Sequence, residues 1–490
     1  MAQQTAGLAL TESRIDGHLD QASHLSYQEW TCVFTNQSNE PGEARFQAQL
    51  PPQGVVSRLT LWVNDEPREA AFSSVANVKA AYKDVVVVQR RDPVLVNVCG
   101  PDRVFVQCFP VPANGGKMKI RLGITSPIAN GSVLLPYLLE RNFTLSGSLE
   151  QQVWMQGSAP FTCQQPELAS AETQGMQALT HALSRTALTG ATEFLMSGNS
   201  ADKAWTEDPF ASEQEKYLIR TWEKVTAPPI GKPIFVVDGS GSMRGRLEEL
   251  KQWLGGRDII LAGDAVHTVS ADRLQESHFS GGCDNTAALM LALAQAQKTP
   301  GSAIVWFHGP LPLMIGHKES LVQLVEKGRA PAKIYDIPVS AGANRIAEVL
   351  TPYQIIQAGP RLPAVAAWLA TLEQPTEHQT AKYERSATPP SDGAKVWDQL
   401  ARYAAFDQLM RKTQTADLMP AHTAQAARYQ LVTPWSGAVV LETKAQFDKH
   451  GLTPVDPKTA PEIPVVPEPS TVALLLPMLW LGLRRRRPGR

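Results

Sequence analysis

Asp238, Ser240 and Ser242 stand at alternate positions in Phe235-Val236-Val237-Asp238-Gly239-Ser240-Gly241-Ser242-Met243. A carboxylate and two hydroxyls at i, i+2 and i+4 of a tight turn can converge on one point. They are hard oxygen donors that suit Mg²⁺, Mn²⁺ or Ca²⁺, with water completing the shell and a gap left for a partner's carboxylate. Two later segments carry further donors. Gly281-Gly282-Cys283-Asp284-Asn285-Thr286 contains Asp284 and Thr286, and Trp306-Phe307-His308-Gly309-Pro310 contains His308; spacing alone does not tie these segments to the turn. Cys283 and His308 are the donors of a softer ion such as Zn²⁺, though one of each plus Asp238 falls short of a four-ligand set. Three readings stand: a hard-cation site aided by Asp284 or Thr286, a turn that binds no metal, and a switch to Zn²⁺ through Cys283 and His308.

The elements around this turn must place it at a sheet end. Pro233 to Val237 is apolar without alternation, which reads as a central parallel strand buried on both faces. Ligands of open α/β sheets gather at such carboxyl ends. A helix is expected next, with Met243, Leu247, Leu250 and Leu254 on one stripe. Strands at 259–262, 303–307 and 333–337 alternate with helices at 286–296 and 320–327, the pattern of an α/β open sheet over about 230–360. The chain before it is different. Ala44 to Leu50, Leu59 to Val63, Val104 to Cys108 and Met118 to Ile124 each alternate apolar and polar residues. Period two in short runs, broken by Gly100-Pro101 and Asn114-Gly115-Gly116, predicts an antiparallel β-sandwich over 10–160. A helix at 74–83 is inserted in it. Residues 361–453 read as a helical and strand extension, with helices at 364–372 and 394–411 and a strand pair within 428–442. Residues 454–469 carry six prolines and read as an extended spacer.

Net charge is −1, which argues against nucleic acid as a partner. The five cysteines, Cys32, Cys99, Cys108, Cys163 and Cys283, show no C-x-x-C pair. Cys99 and Cys108 could meet across a hairpin in an oxidising compartment, but buried free thiols fit as well. No nucleophile elbow, H-E-x-x-H, P-loop or dinucleotide fingerprint occurs, so no catalytic residue is assigned.

Three pieces resemble known families. Residues 10–160 resemble the vault protein inter-alpha-trypsin (VIT) domain, on Phe34 to Asn36, Gln49-Leu50-Pro51, Lys79 to Tyr82 and Val106 to Pro112. Residues 230–360 resemble a von Willebrand factor A-like domain, on Phe235 to Met243, which fits that family's D-x-S-x-S metal-ion-dependent adhesion site (MIDAS). The resemblance alone ties two later loops to the turn, and it implies a Thr and an Asp from them as further ligands. Here Cys283 and His308 occupy those places, and a neutral histidine is a poor Mg²⁺ ligand. The tail is similar to a PEP-CTERM sorting signal: Pro467-Glu468-Pro469, an apolar stretch from Val472 to Leu483, then Arg484, Arg485, Arg486 and Arg487. That resemblance implies an exosortase, contact with the membrane through a short C-terminal apolar helix, and a place in the bacterial cell envelope. The arginines are expected to stay cytoplasmic. About 13 apolar residues are short of the ~20 that a full span needs. Met1 to Leu10 shows neither a basic start nor an apolar core, so export would need another start, an upstream segment or another route.

The expected fold class is therefore α+β multidomain: a VIT-like sandwich, an A-like open parallel sheet, and a sorting signal over 467–490. The expected function is non-enzymatic adhesion or assembly. The partner would be a protein or extracellular matrix component, bound through an acidic group if the turn holds a divalent cation (Mg²⁺ or Ca²⁺). The alternatives are a purely structural scaffold and a metal- or Cys-dependent hydrolase.

Overall fold

Alternation in the first part of the chain builds two sheets around one core; the second is antiparallel, while the first, expected to be antiparallel as well, is mixed, because Leu8–Asp20 runs parallel to Gln151–Gly157. The computed structural model describes residues 4–86, 93–163, 168–173, 176–312, 316–328, 332–412 and 419–463. The long strands Leu8–Asp20, Leu25–Asn36 and Gly116–Pro127 lie side by side, so that Trp30 is flanked by Ile15 and Leu122. In the second sheet Gly42–Gln49 pairs with Arg103–Val111, which pairs with Val94–Gly100. Trp30, Phe34, Ile120 and Leu122 from the first sheet share a single core with Phe46, Val94, Val96, Val104 and Val106 from the second. The inserted helix forms at Val75–Asp84, and the Ser74 hydroxyl caps it by accepting the Asn77 N–H at 3.2 Å.

The second sheet is closed by a strand from the far end of the chain. Ser436–Val440 lies between Ala71–Ser74 and Val94–Gly100, antiparallel to both. The strand pair expected within 428–442 is thus one strand with partners in the first hundred residues. Its five residues are all buried, which their apolar run allows. Residues 454–463 are not a free spacer either. The Val455 N–H donates to Ala70 O, and Pro461 O accepts from Arg58 Nη1 at 2.7 Å. Of the two readings of Cys99 and Cys108, the structure has the free thiols: Cys108 stands opposite Val94, and all five cysteines are free.

The middle of the chain forms a six-stranded sheet in the order 266–270, 258–262, 233–238, 303–308, 334–338, 356–358. Five strands are parallel, and the edge strand Val266–Ser270 runs antiparallel. Pro233–Asp238 is interior and covered on both faces, as its unalternating apolar sequence requires. Val236, Ile304 and Trp306 pack with helices Thr286–Ala296, Lys318–Lys327 and Arg345–Leu350. Phe235, Val237, Val305 and Phe307 pack on the other face with Leu247–Leu254 and Val365–Thr371. An additional pairing brackets this unit: Tyr217–Ala227 runs antiparallel to Thr376–Ser386 in unbroken register. Ala394–Lys395, expected as the start of a helix, is a short strand of that same sheet, and the helix begins at Gln399. Among the described residues no helix is long and apolar enough to cross a membrane. The sorting-signal residues Pro467 to Arg490 lie outside the described residues.

Candidate functional site

Asp238 ends the interior strand Pro233–Asp238 and is fully buried. Gly239 follows because the backbone there runs against the neighbouring strand. A Cβ on it would stand 2.7 Å from Ala262 O. Gly241–Arg246 then winds as a 3₁₀ turn, anchored by the buried side chain of Met243. The loop carrying Cys283 is tied to the same turn, since Gly241 N–H donates to Gly281 O and Ser280 N–H to Gly239 O. Ser240 is buried, while Ser242 is exposed to solvent.

Three of the expected site residues converge. Ser240 Oγ donates to Asp238 Oδ2 at 2.6 Å and lies 2.7 Å from Ser242 Oγ. The other expected ligands turn elsewhere. Thr286 gives its hydroxyl to Asp284 Oδ1 at 2.5 Å, and Asp284 Oδ2 accepts the Gly316 N–H. Cys283 Sγ lies 3.5 Å from Ser280 O, and burial, then the nearby Asp238 and Asp264, push its thiol pKa up. His308 points away from the turn. Its Nδ1 lies 2.7 Å from Gly309 O and its Nε2 2.6 Å from Asp336 Oδ1, so both ring nitrogens face oxygen acceptors.

Groups that the sequence did not single out fill the gap. Asn285 Nδ2 donates to Asp238 Oδ1 at 3.0 Å, and the Trp306 indole N–H holds the other end of that amide at 2.9 Å. The Gly309 N–H donates to Asp238 Oδ2 at 3.2 Å, and the Ser240 N–H to Oδ1 at 3.0 Å. The Asp238 carboxylate therefore receives four N–H or O–H donors, which matches its four lone-pair positions. A Cβ at 309 would lie 2.2 Å from Ser242 Oγ, so a larger residue there would push the Ser242 hydroxyl out of its place in the turn. Asn285 was available in the sequence, next to Asp284. Gly309 was available as the residue after His308.

These residues fit a hydrogen-bonded turn better than a cation shell. A hard cation wants lone pairs free of N–H and O–H donors, and the places expected to add oxygen hold Cys283 and His308. Among the described residues no group of three His, Cys, Asp or Glu side chains is placed to hold a metal, which bears on the Zn²⁺ reading.

Behind His308 a buried network crosses to the N-terminal sheets. Asp336, 2% exposed, accepts from Arg103 Nη2 at 2.9 Å, and Asn344 Nδ2 lies 3.2 Å from His308 Nε2. Burial raises the Asp336 pKa, but Arg103 and His308 outweigh it and hold the carboxyl below its ordinary value. Gln47 Nε2 to Glu348 Oε1 at 2.9 Å and Trp435 Nε1 to Pro352 O at 3.2 Å add to the same interface. Neither Arg103 nor Asp336 carries a local signal in the sequence, because their pairing is made only by the docking of two domains.

Comparison with known proteins gives one family. Residues 13–124 match the vault protein inter-alpha-trypsin (VIT) domain. No curated protein matches the chain. Among solved structures, one similar chain is a Legionella pneumophila protein described as nutrient-binding, at 8% identity, covering 39% of this chain and 68% of that one, with a TM-score of 0.23. Manganese-loaded Plasmodium vivax TRAP protein shares 10% identity over 34% of this chain and 82% of its own, at 0.21. An M1 zinc metallopeptidase mutant from Deinococcus radiodurans shares 14% over 51% and 55%, at 0.23. Likenesses this distant carry no functional argument.

Proposed function

We propose that this chain is a non-enzymatic adhesion or assembly protein of the bacterial cell envelope. In this reading a VIT-like sandwich supports an A-like sheet, which presents the Asp238 turn to a protein or matrix partner. An exosortase handles the PEP-CTERM-like tail, whose apolar stretch contacts the membrane. The observation that carries the reading is the turn itself. Asp238, Ser240 and Ser242 gather at the carboxyl end of an interior parallel strand, where such sheets meet their ligands, and Ser242 faces solvent. The raised thiol of Cys283 disfavours the Cys-dependent hydrolase, because the thiolate is the nucleophile.

The four donors on Asp238 favour a partner contact that needs no cation. A divalent-cation version is the second reading, favoured by Ser240 Oγ lying 2.6 Å from Asp238 Oδ2 and 2.7 Å from Ser242 Oγ. Calorimetric titration of the chelator-treated chain with Mg²⁺, Ca²⁺, Mn²⁺ and Zn²⁺, alongside Asp238→Asn, separates the two. The cation-free reading expects no saturable heat from any ion. Saturable Mg²⁺ or Ca²⁺ binding that Asp238→Asn abolishes would overturn it in favour of a cation site.

A further inference from the structure

A cleft of about 1290 Å³ opens where the N-terminal sheets meet the far edge of the parallel sheet and the helix Gln399–Arg411. It exceeds the roughly 300–1,000 Å³ of most small-molecule sites, so it has room for a ligand and its water. Aromatic rings face it in two pairs, Tyr335 with Trp368 at 5.0 Å and Tyr403 with Phe406 at 6.0 Å.

The polar groups of the cleft are unevenly matched. Arg103 is only 3% exposed, and while Nη2 binds Asp336, Nη1 has no partner. The buried Ser340 Oγ has none either. Among the described residues no hydrogen bond or ion pair engages the Arg361 guanidinium, which is exposed at the rim, although the carboxyls of Glu193 and Asp102 are near enough to act on its charge. Other basic groups of the cleft are already engaged: Arg246 by Glu249 and Arg411 by Asp407. Asp102 lies near Arg103 and Arg361, but burial pushes its carboxyl pKa up to about 7, so near neutrality it offsets their charge only in part. Buried unpartnered donors in the wall of a cleft whose rim carries a cation without a hydrogen-bonded acid call for an anionic acceptor. The aromatic lining favours a singly charged group on an apolar body over a heavily hydrated phosphate.

We infer that this cleft binds an organic carboxylate. Arg361, with the donors of Arg103 and Ser340, takes the carboxylate, and the carbon skeleton lies against Trp368 and Tyr335. Arg246, at the end of the Gly241–Arg246 turn, reaches the rim of the cleft, but Arg361, Trp368 and Tyr335 lie in other segments, so the inference does not depend on Asp238 and the test leaves that turn untouched.

The test is calorimetric titration of the full chain with benzoate, cyclohexanecarboxylate, glucuronate and a blocked glutamyl peptide, each beside its uncharged amide. At least one acid saturates a single site while its amide does not. Arg361→Gln weakens that binding by about tenfold or more, as expected for a charge-assisted contact. Trp368→Ala weakens it as well, and both variants unfold at the wild-type midpoint. Binding of the peptide alone places the carboxylate on a protein partner. Binding of free acids alone places it on a small molecule, and either result supports the site. The inference is overturned if none of the four acids binds, if an amide binds as well as its acid, or if Arg361→Gln leaves affinity unchanged.

Discussion

Replacing Arg103 by methionine removes a guanidinium that links two domains and leaves the Asp336 carboxylate buried beneath them. The two side chains are 4% and 2% exposed, so the pair is scarcely screened by solvent. Removing one partner of a buried pair costs about 3–5 kcal/mol, because the survivor is stranded without its solvation. Asp336 keeps His308 at 2.6 Å, which places the expected loss at the lower end, about 3 kcal/mol. Asp336→Asn strands the guanidinium instead and costs about 2–3 kcal/mol. In the double variant neither charge is left behind, so its loss falls short of the sum of the singles by about 2 kcal/mol. Several packed units are not expected to unfold in one step, so the assay is native-state hydrogen exchange on peptides covering 303–308 and 334–338. A loss of about 3 kcal/mol appears there as roughly hundredfold faster exchange. The low Asp336 pKa adds a pH signature. Its contribution is fully present above the unfolded value and is lost as pH falls through the folded one. The difference between wild type and Asp336→Asn therefore closes only in acid, below about pH 4. Unchanged exchange in Arg103→Met, or strict additivity in the double variant, would refute the reasoning.

Asp102→Asn should stabilise the chain at pH 8 and leave it unaffected near pH 3. The folded carboxyl, raised to about 7, favours folding below the unfolded value and loses that advantage as pH rises through 7. The shift sets a ceiling of about 4 kcal/mol, and partial exposure reduces the expected gain to roughly 1–3 kcal/mol, read from urea midpoints across pH. A wild-type pH profile unchanged by the substitution would count against it. Gly437→Ala should destabilise the N-terminal sheets by about 1–3 kcal/mol, since a Cβ there meets Asn97 Oδ1 at 2.3 Å and Val78 Cγ2 at 2.7 Å. Faster exchange at 94–100 is the expected readout, and protection equal to wild type would show that the strand yields.

Elements with a strong local period were legible in the sequence. The four alternating runs became strands of two sheets with a shared core, and the unalternating Pro233–Val237 became an interior parallel strand. What could not be read was long-range pairing. Tyr217–Ala227 mixes apolar and charged residues without a clean period, Thr376–Ser386 is mostly polar, and each needs the other across the whole α/β unit. The site was legible in part for a similar reason. The turn's three oxygens are fixed by local spacing. The partners of Asp238, Asn285 and Gly309, come from loops that only the sheet order brings together. His308 was expected at the turn only through the resemblance of the sequence to the von Willebrand factor A family. Its ring instead follows Asp336, whose own position depends on Arg103 from another domain.

The pairing of Ala438 with Val96 and Phe72 bears on the order of events during synthesis. Until the ribosome has released the last part of the chain, Val94–Gly100 and Ala71–Ser74 each lack a neighbour and present open backbone to anything nearby. Such unfinished edges invite association with other nascent copies. These N-terminal strands are thus made well before the strand that completes their sheet.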